Sequence, residues 1–163
     1  MRLVLTAALC AFFTLPAVAQ TSPPGYTQFD LTQQAKLRSH LGTWRCVSVP
    51  GATTISTETQ QGNWFVTRRA GSNSATSYER WSHVLKAYID ISIFDSGASD
   101  IAQTTSLDPD NATYIEMWPA LDNQGRKRFD IQVSRTGDAM RSSSQFYDEQ
   151  GNVRNAVTTC TKQ

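Results

Sequence analysis

The chain has 163 residues, enough for one domain of ordinary size, with 15 basic and 14 acidic residues. This balance, and the lack of a basic stripe, exclude an electrostatic nucleic-acid binder and a protein recruited by an anionic membrane surface. The longest cationic run, Arg126-Lys127-Arg128, is interpreted as the solvated end of a strand.

The first residues predict an export signal. Arg2 precedes an apolar run from Leu3 to Leu15, and small residues at Ala17 and Ala19 mark a cleavage site. A membrane anchor is the weaker alternative, because the run is shorter than the roughly 20 residues that span a bilayer. We therefore expect a signal peptide over 1–19, a flexible tether over 20–30 and a folded domain over 31–163. This organisation predicts a secreted or periplasmic protein that does not insert into a membrane after cleavage.

Cleavage would leave two cysteines, Cys46 and Cys160, out of three in the full chain. Thiols in exported proteins tend to oxidise, so we expect a disulfide between them. A bridge closing so long a loop contributes about 4–5 kcal/mol in the loop-entropy model. Two unpaired buried thiols are the alternative. No metal site is predicted, because two cysteines without neighbouring histidines are a poor ligand set.

The first predicted element is a short helix from Leu31 to Leu41. Asp30 has the character of an N-cap, with Gln33 three residues later in the capping-box position. Gly42 follows where a C′ glycine is expected.

After the helix the hydrophobic period changes to two and turn residues recur at short intervals. Parallel pairing needs crossovers of a dozen or more residues, which these short connections do not provide. The sheet is therefore predicted to be antiparallel with next-neighbour pairing, and a Cys46–Cys160 bridge would place its first and last strands side by side. This predicts an all-β, up-and-down barrel of about ten strands with a short N-terminal helix. The strand segments are TWRCVSV, TTISTET, NWFVTRR, ATSYERW, KAYIDISIF, IAQTTSL, TYIEMW, KRFDIQVSR, AMRSSSQFY and VRNAVTTCTK.

The segments LGTWRC, YERWSHVLKAYIDISIFDSG and TTCTK resemble exported bacterial proteins of unknown function close to the calycins, which include lipocalins, fatty-acid-binding proteins and nitrobindins. The resemblance rests on Gly42-x-Trp44 opening the first strand, and covers residues 31 to 163. It implies that Trp44 packs inside the closed end of the barrel, with Arg154 or Lys162 across its ring. It also implies a ligand position at the open end.

Haem-binding nitrobindins use a histidine on a late strand as the axial ligand. This chain has no histidine after His83, and it places His40 in the helix and His83 in a hairpin connection. We therefore predict no haem and no other cofactor.

Catalytic candidates are few: Asp90, Glu116 and His83. A carboxylate inside a barrel would have a raised pKa and a capacity for acid/base chemistry. The alternation of Ile89, Ile91 and Ile93 with Asp90 instead favours a solvent-facing carboxylate, and we expect that arrangement.

The aromatic residues are spread over consecutive strands, where they either fill the core or line a cavity. We predict a non-catalytic barrel that holds a small hydrophobic or aromatic molecule. The alternatives are an enzyme on the same barrel and a secreted protein-binding or inhibitor domain, and the oligomeric state stays open. The candidate ligand-binding residues are Trp64, Tyr78, Trp81, Tyr88, Trp118 and Phe146.

Overall fold

The structure is a computed structural model that describes residues 24–49, 51–71, 74–118, 129–147 and 152–163. The predicted signal peptide, 1–19, and the beginning of the predicted tether lie outside the described residues. In the described part of the chain, no helix has the length and apolar character needed to cross a membrane.

The helical segment begins earlier than predicted. Helix α1 spans Gln28–Lys36, and a 3₁₀ turn, η1, spans Leu37–His40. The predicted N-cap at Asp30 is wrong because Thr27 is the cap: its hydroxyl accepts from the Asp30 N–H, and the Asp30 carboxylate accepts from the Thr27 N–H at 3.0 Å. Gly42 follows the C-cap residue Leu41 and has a φ of +128°, as predicted for a C′ glycine, and it also begins the first strand.

Ten strands follow, in agreement with the predicted number and order. Each segment predicted from its two-residue hydrophobic period forms one strand. Alternate residues of a strand can face a shared interior, and the turn residues between successive strands reverse the chain. The strands are β1 (Gly42–Val49), β2 (Ala52–Gln61), β3 (Trp64–Gly71), β4 (Ala75–Ser82), β5 (Ala87–Phe94), β6 (Ser99–Thr104), β7 (Asn111–Trp118), β8 (Phe129–Thr136), β9 (Ala139–Tyr147) and β10 (Val153–Lys162).

Each strand pairs antiparallel with its neighbours in sequence, and β1 pairs with β10 to close the barrel. Cys46 and Cys160 face each other in this pairing and form a disulfide. The predictions of a closed up-and-down barrel and of this bridge are therefore confirmed.

Helix α1 and η1 form a cap over one end of the barrel. The Asp30 carboxylate accepts from Trp81 Nε1 at 2.7 Å and from Lys86 Nζ at 2.8 Å, while the Tyr88 hydroxyl donates to the Gln33 carbonyl at 3.0 Å. An apolar core fills the barrel beneath the cap. Its buried members are Leu37, Phe65, Trp81, Tyr88, Ala102, Ala112 and Tyr114.

Trp44 lies in a second buried cluster with the disulfide, where β1 meets β10. Its ring has Arg135 Cζ at 5.0 Å and Lys162 Nζ at 5.3 Å from the centroid, so the predicted cation over the tryptophan is present. Arg154 is not that cation. It pairs with Phe146 near the opposite end of β10, whereas Lys162 pairs directly with Trp44.

Candidate functional site

Three carboxylates lie in one row across the inner face of the barrel, and we call Glu79, Asp90 and Glu116 the acidic row. Glu79 pairs with Asp90, Asp90 with Ala102, and Ala102 with Glu116. Glu116 is buried and Asp90 is half-buried. The row therefore brings together side chains from β4, β5 and β7.

The expectation that Asp90 faces solvent is wrong. Tyr88 points inward beneath the cap, so Asp90 and Ser92 follow it to the inner face by alternation. The isoleucines on the other parity face outward, and Ile93 is 49% exposed. Glu116 is buried on the same inner face, so the expectation of a solvent-facing carboxylate is wrong for Glu116 as well.

Asp90 lies in a polar environment above the apolar core. The Ser92 hydroxyl is 2.9 Å from Asp90 Oδ1 and 2.8 Å from the buried Ser77 hydroxyl. Burial raises the pKa of Asp90 to about 7, and the negative charge of Glu79 acts in the same direction. This carboxyl therefore changes charge near neutral pH.

A second polar group lies where the cap meets the barrel, and we call His40, Glu58, Glu79 and Asp110 the His40 cluster. His40 Nδ1 is 3.2 Å from Glu79 Oε2 and 3.5 Å from Glu58 Oε1. On the other side of the ring, Nε2 is 3.0 Å from Asp110 Oδ1. His40 and Glu58 are almost completely buried.

The charges in the His40 cluster stabilise one another. Burial alone lowers the pKa of His40, but the carboxylates of Glu79, Asp110 and Glu58 outweigh it and raise this pKa to about 11. For Glu79, burial acts to raise the pKa, while the neighbouring His40 charge and the Tyr114 hydroxyl hydrogen bond hold it below its usual value. Without a bound ion, His40 is therefore an imidazolium between carboxylates.

The remaining sequence candidates lie elsewhere. His83 is in the β4–β5 turn, as predicted, with its ring 4.7 Å from that of Tyr26. Its position in this turn separates it from Asp90 and Glu116, which lie on the inner face of the barrel. The structure thus unites two of the three predicted catalytic residues and leaves the third outside the barrel.

The six aromatic candidates do not form one lining. Trp81 and Tyr88 belong to the core beneath the cap and are fully buried. Trp64 and Tyr78 contact each other edge to face on the outer surface, since their neighbours in sequence point inward. The side chains of Trp118 and Phe146 lie outside the described residues, although their strands are described.

Sequence reasoning missed the His40 cluster. Its members come from η1, from β2, from β4 and from the connection before β7, so they share no local spacing that a motif could capture. Strand parity would have placed Glu79 inward once Trp81 was assigned to the core, but Glu58 lies on β2 and its direction depends on the register of β2 with β3 and of β3 with β4. The contact of Asp110 with His40 depends on how the cap sits on the barrel.

The residues of this chain do not fit the haem site implied by the nitrobindin resemblance. Both His40 nitrogens face carboxylates, and His83 packs on Tyr26 outside the barrel. The chain has no later histidine to supply the axial ligand.

Comparison with solved structures shows the fold. The chain is similar to the crystal structure of Rv2717c from M. tuberculosis, with a TM-score of 0.59 and 16% sequence identity, over 80% of this chain and 97% of that chain. No family model and no curated protein matches. The likeness shows that the two chains share a fold, which in this chain is a closed ten-strand antiparallel barrel.

Proposed function

We propose that this protein is an exported, non-catalytic barrel that binds a small ligand in its interior, on the side away from the cap. The observation that carries the proposal is the acidic row with its polar surroundings. The cap and the apolar core fill one end, but the inner face beyond them has polar and charged side chains where packing alone would favour apolar ones.

The described lining favours a polar ligand with a cationic group, rather than the hydrophobic or aromatic molecule expected from the sequence. Asp90 and Asp100 both interact with the one guanidinium group of Arg69. The buried hydroxyls of Ser77 and Ser92 add hydrogen-bonding capacity. A protonated amine would supply the missing positive charge and donate hydrogen bonds to the carboxylates.

Export is part of the proposal, and the disulfide supports it. Cys46 and Cys160 form a bridge within the barrel wall. Such bridges persist in oxidising compartments and are rare where thiols are kept reduced. We therefore place the protein in a secreted or periplasmic location, where the disulfide of this barrel would persist.

An acid/base enzyme on the same barrel is the second candidate, and Asp90 is the observation that favours it. A carboxyl that titrates near pH 7 is suited to accepting a proton from a bound substrate. The two functions differ in one respect: an enzyme converts the compound that it binds, whereas a binding protein returns it unchanged.

Native mass spectrometry of protein purified from its own host tests for a retained small molecule. A direct test is thermal unfolding with putrescine and with 1,4-butanediol, a pair that differs in the two amino groups. Palmitate serves as a hydrophobic comparison. We expect putrescine to raise the melting temperature, because it alone of the three compounds is cationic. Butanediol and palmitate should leave the melting temperature unchanged. Product analysis after incubation separates binding from catalysis.

The matched variants are Asp90→Asn, on the inner face, and Asp95→Asn, in the exposed turn after β5. Asp90→Asn should abolish the putrescine effect and Asp95→Asn should preserve it. Equal stabilisation by putrescine and butanediol would show that the ligand class is wrong, and an unchanged response in Asp90→Asn would show that the amine does not bind at the acidic row.

A further inference from the structure

The His40 cluster has the arrangement of an ion-binding site. His40 Nδ1, one oxygen of Glu58 and one oxygen of Glu79 lie within 4.8 Å of one another. They come from η1, β2 and β4, so the fold, and not one local loop, assembles them. The side chains are 4%, 7% and 13% exposed, respectively.

The separations suit a small divalent ion. Ligands at about 2.0–2.1 Å from a tetrahedral zinc ion lie about 3.3–3.4 Å from one another. The two separations from Nδ1, 3.2 Å to Glu79 and 3.5 Å to Glu58, bracket that value. Imidazole nitrogen and carboxylate oxygen are both ordinary zinc ligands.

Two of the three groups are already oriented by neighbours. Asp110 faces Nε2 of His40, so a ring that donates its Nε2–H there presents the lone pair of Nδ1 to the two glutamates. This is the carboxylate–histidine pairing that fixes metal-bound imidazoles. The Tyr114 hydroxyl donates to Glu79 Oε1, which leaves Oε2 directed at His40.

The position of Glu58 distinguishes this group from a simple ion pair between His40 and one carboxylate. The Glu58 side chain is 7% exposed, and its Oε1 lies 3.5 Å from His40 Nδ1. That nitrogen carries at most one proton and is closer to Glu79. The two carboxylates therefore share a single Nδ1 proton, whereas an ion would bind both of them.

We propose that His40, Glu58 and Glu79 bind a divalent transition-metal ion of the zinc type, with Asp110 and Tyr114 as positioning residues. The bound ion replaces the Nδ1 proton and joins η1 to β2 and β4, which fastens the cap to the barrel wall. The site shares Glu79 with the acidic row, but the two proposals can fail separately, because Asp90→Asn tests amine binding and Glu58→Gln tests zinc binding.

Isothermal titration of the chelator-treated full-length protein with Zn²⁺ tests the proposal. We expect one ion per chain and thermal stabilisation by Zn²⁺. Glu58→Gln, which keeps shape but removes charge, and His40→Gln should each weaken binding at least 100-fold. Asp110→Asn should weaken it about 10–100-fold, as is usual when the partner of a metal-bound histidine is changed.

The matched controls are His83→Gln, which removes the other histidine from an exposed turn, and Asp90→Asn, which removes an inner carboxylate outside the cluster. Both should bind Zn²⁺ as the unaltered protein does. No binding by the unaltered protein, or binding undiminished in Glu58→Gln, would overturn the proposal and leave His40 as an imidazolium.

X-ray absorption of the zinc-loaded, unaltered protein gives an answer that does not depend on any variant folding. We expect one imidazole and otherwise oxygen ligands at about 2.0 Å. Two imidazoles or a sulfur ligand would place the ion elsewhere and overturn the proposal.

Discussion

Replacing Trp44 with alanine should destabilise the protein strongly. The indole is 3% exposed, packs on the Cys46–Cys160 disulfide, and donates from Nε1 to the His40 carbonyl at 2.8 Å. Its ring also lies beside Arg135 and Lys162. One substitution therefore removes packing, a buried hydrogen bond and two cation–π contacts.

The expected loss is about 3–5 kcal/mol in the free energy of unfolding. A buried tryptophan removes roughly 150–250 Å² from water, which at about 25 cal/mol/Å² gives an upper bound of about 4–6 kcal/mol. Measured truncations of core aromatic residues fall at about 3–5 kcal/mol. For a domain of this size, that loss lowers the melting temperature by roughly 6–20 °C.

Urea unfolding followed by circular dichroism measures this loss, with two comparison variants. Trp44→Phe keeps a ring but loses the hydrogen bond to His40, so it should show a smaller loss than the truncation. Trp64→Ala removes a half-buried tryptophan from the outer face and should cost about 1–2 kcal/mol. If Trp44→Ala cost no more than Trp64→Ala, Trp44 would not be a core residue.

Two further predictions concern the barrel wall and its inner face. Replacing both cysteines of the Cys46–Cys160 bridge with alanine should lower the free energy of unfolding by about 4–5 kcal/mol, because the bridge closes a separation of 114 residues. A change below about 1 kcal/mol in urea unfolding would contradict this prediction. The pKa of Asp90 is raised in the folded state. The contribution of this carboxyl to the free energy of unfolding is therefore fully present below its ordinary pKa near 4, and it is lost as the pH rises through about 7. Asp90→Asn should therefore become more stable relative to the unaltered protein across that interval, by about 2–4 kcal/mol in all, and parallel stability curves between pH 4 and pH 8 would refute it.

The barrel was predictable from sequence because its signals are local. Alternation and turn residues define each strand, and the two cysteines indicate which strands close the sheet. The side-chain directions of Asp90 and Glu116 were not predictable in the same way. In the segment "YIDIS", the isoleucines on one face and Tyr88 on the other could each point into the barrel. The direction is decided by the hydrogen bond from the Tyr88 hydroxyl to the Gln33 carbonyl in the cap. The His40 cluster was still less accessible, because it depends on the cap and three separate parts of the chain meeting in space.

The pairing of the first strand with the last has a consequence for synthesis. Until Val153–Lys162 is available, β1 lacks the partner strand on one side and Cys46 lacks the thiol of Cys160. A nascent or truncated chain therefore presents two unpaired strand edges, which are the surfaces through which β-proteins associate with one another. A chain that ends before β10 is thus exposed to aggregation as well as to loss of stability. The ten C-terminal strand residues protect the molecule by eliminating both edges in one step.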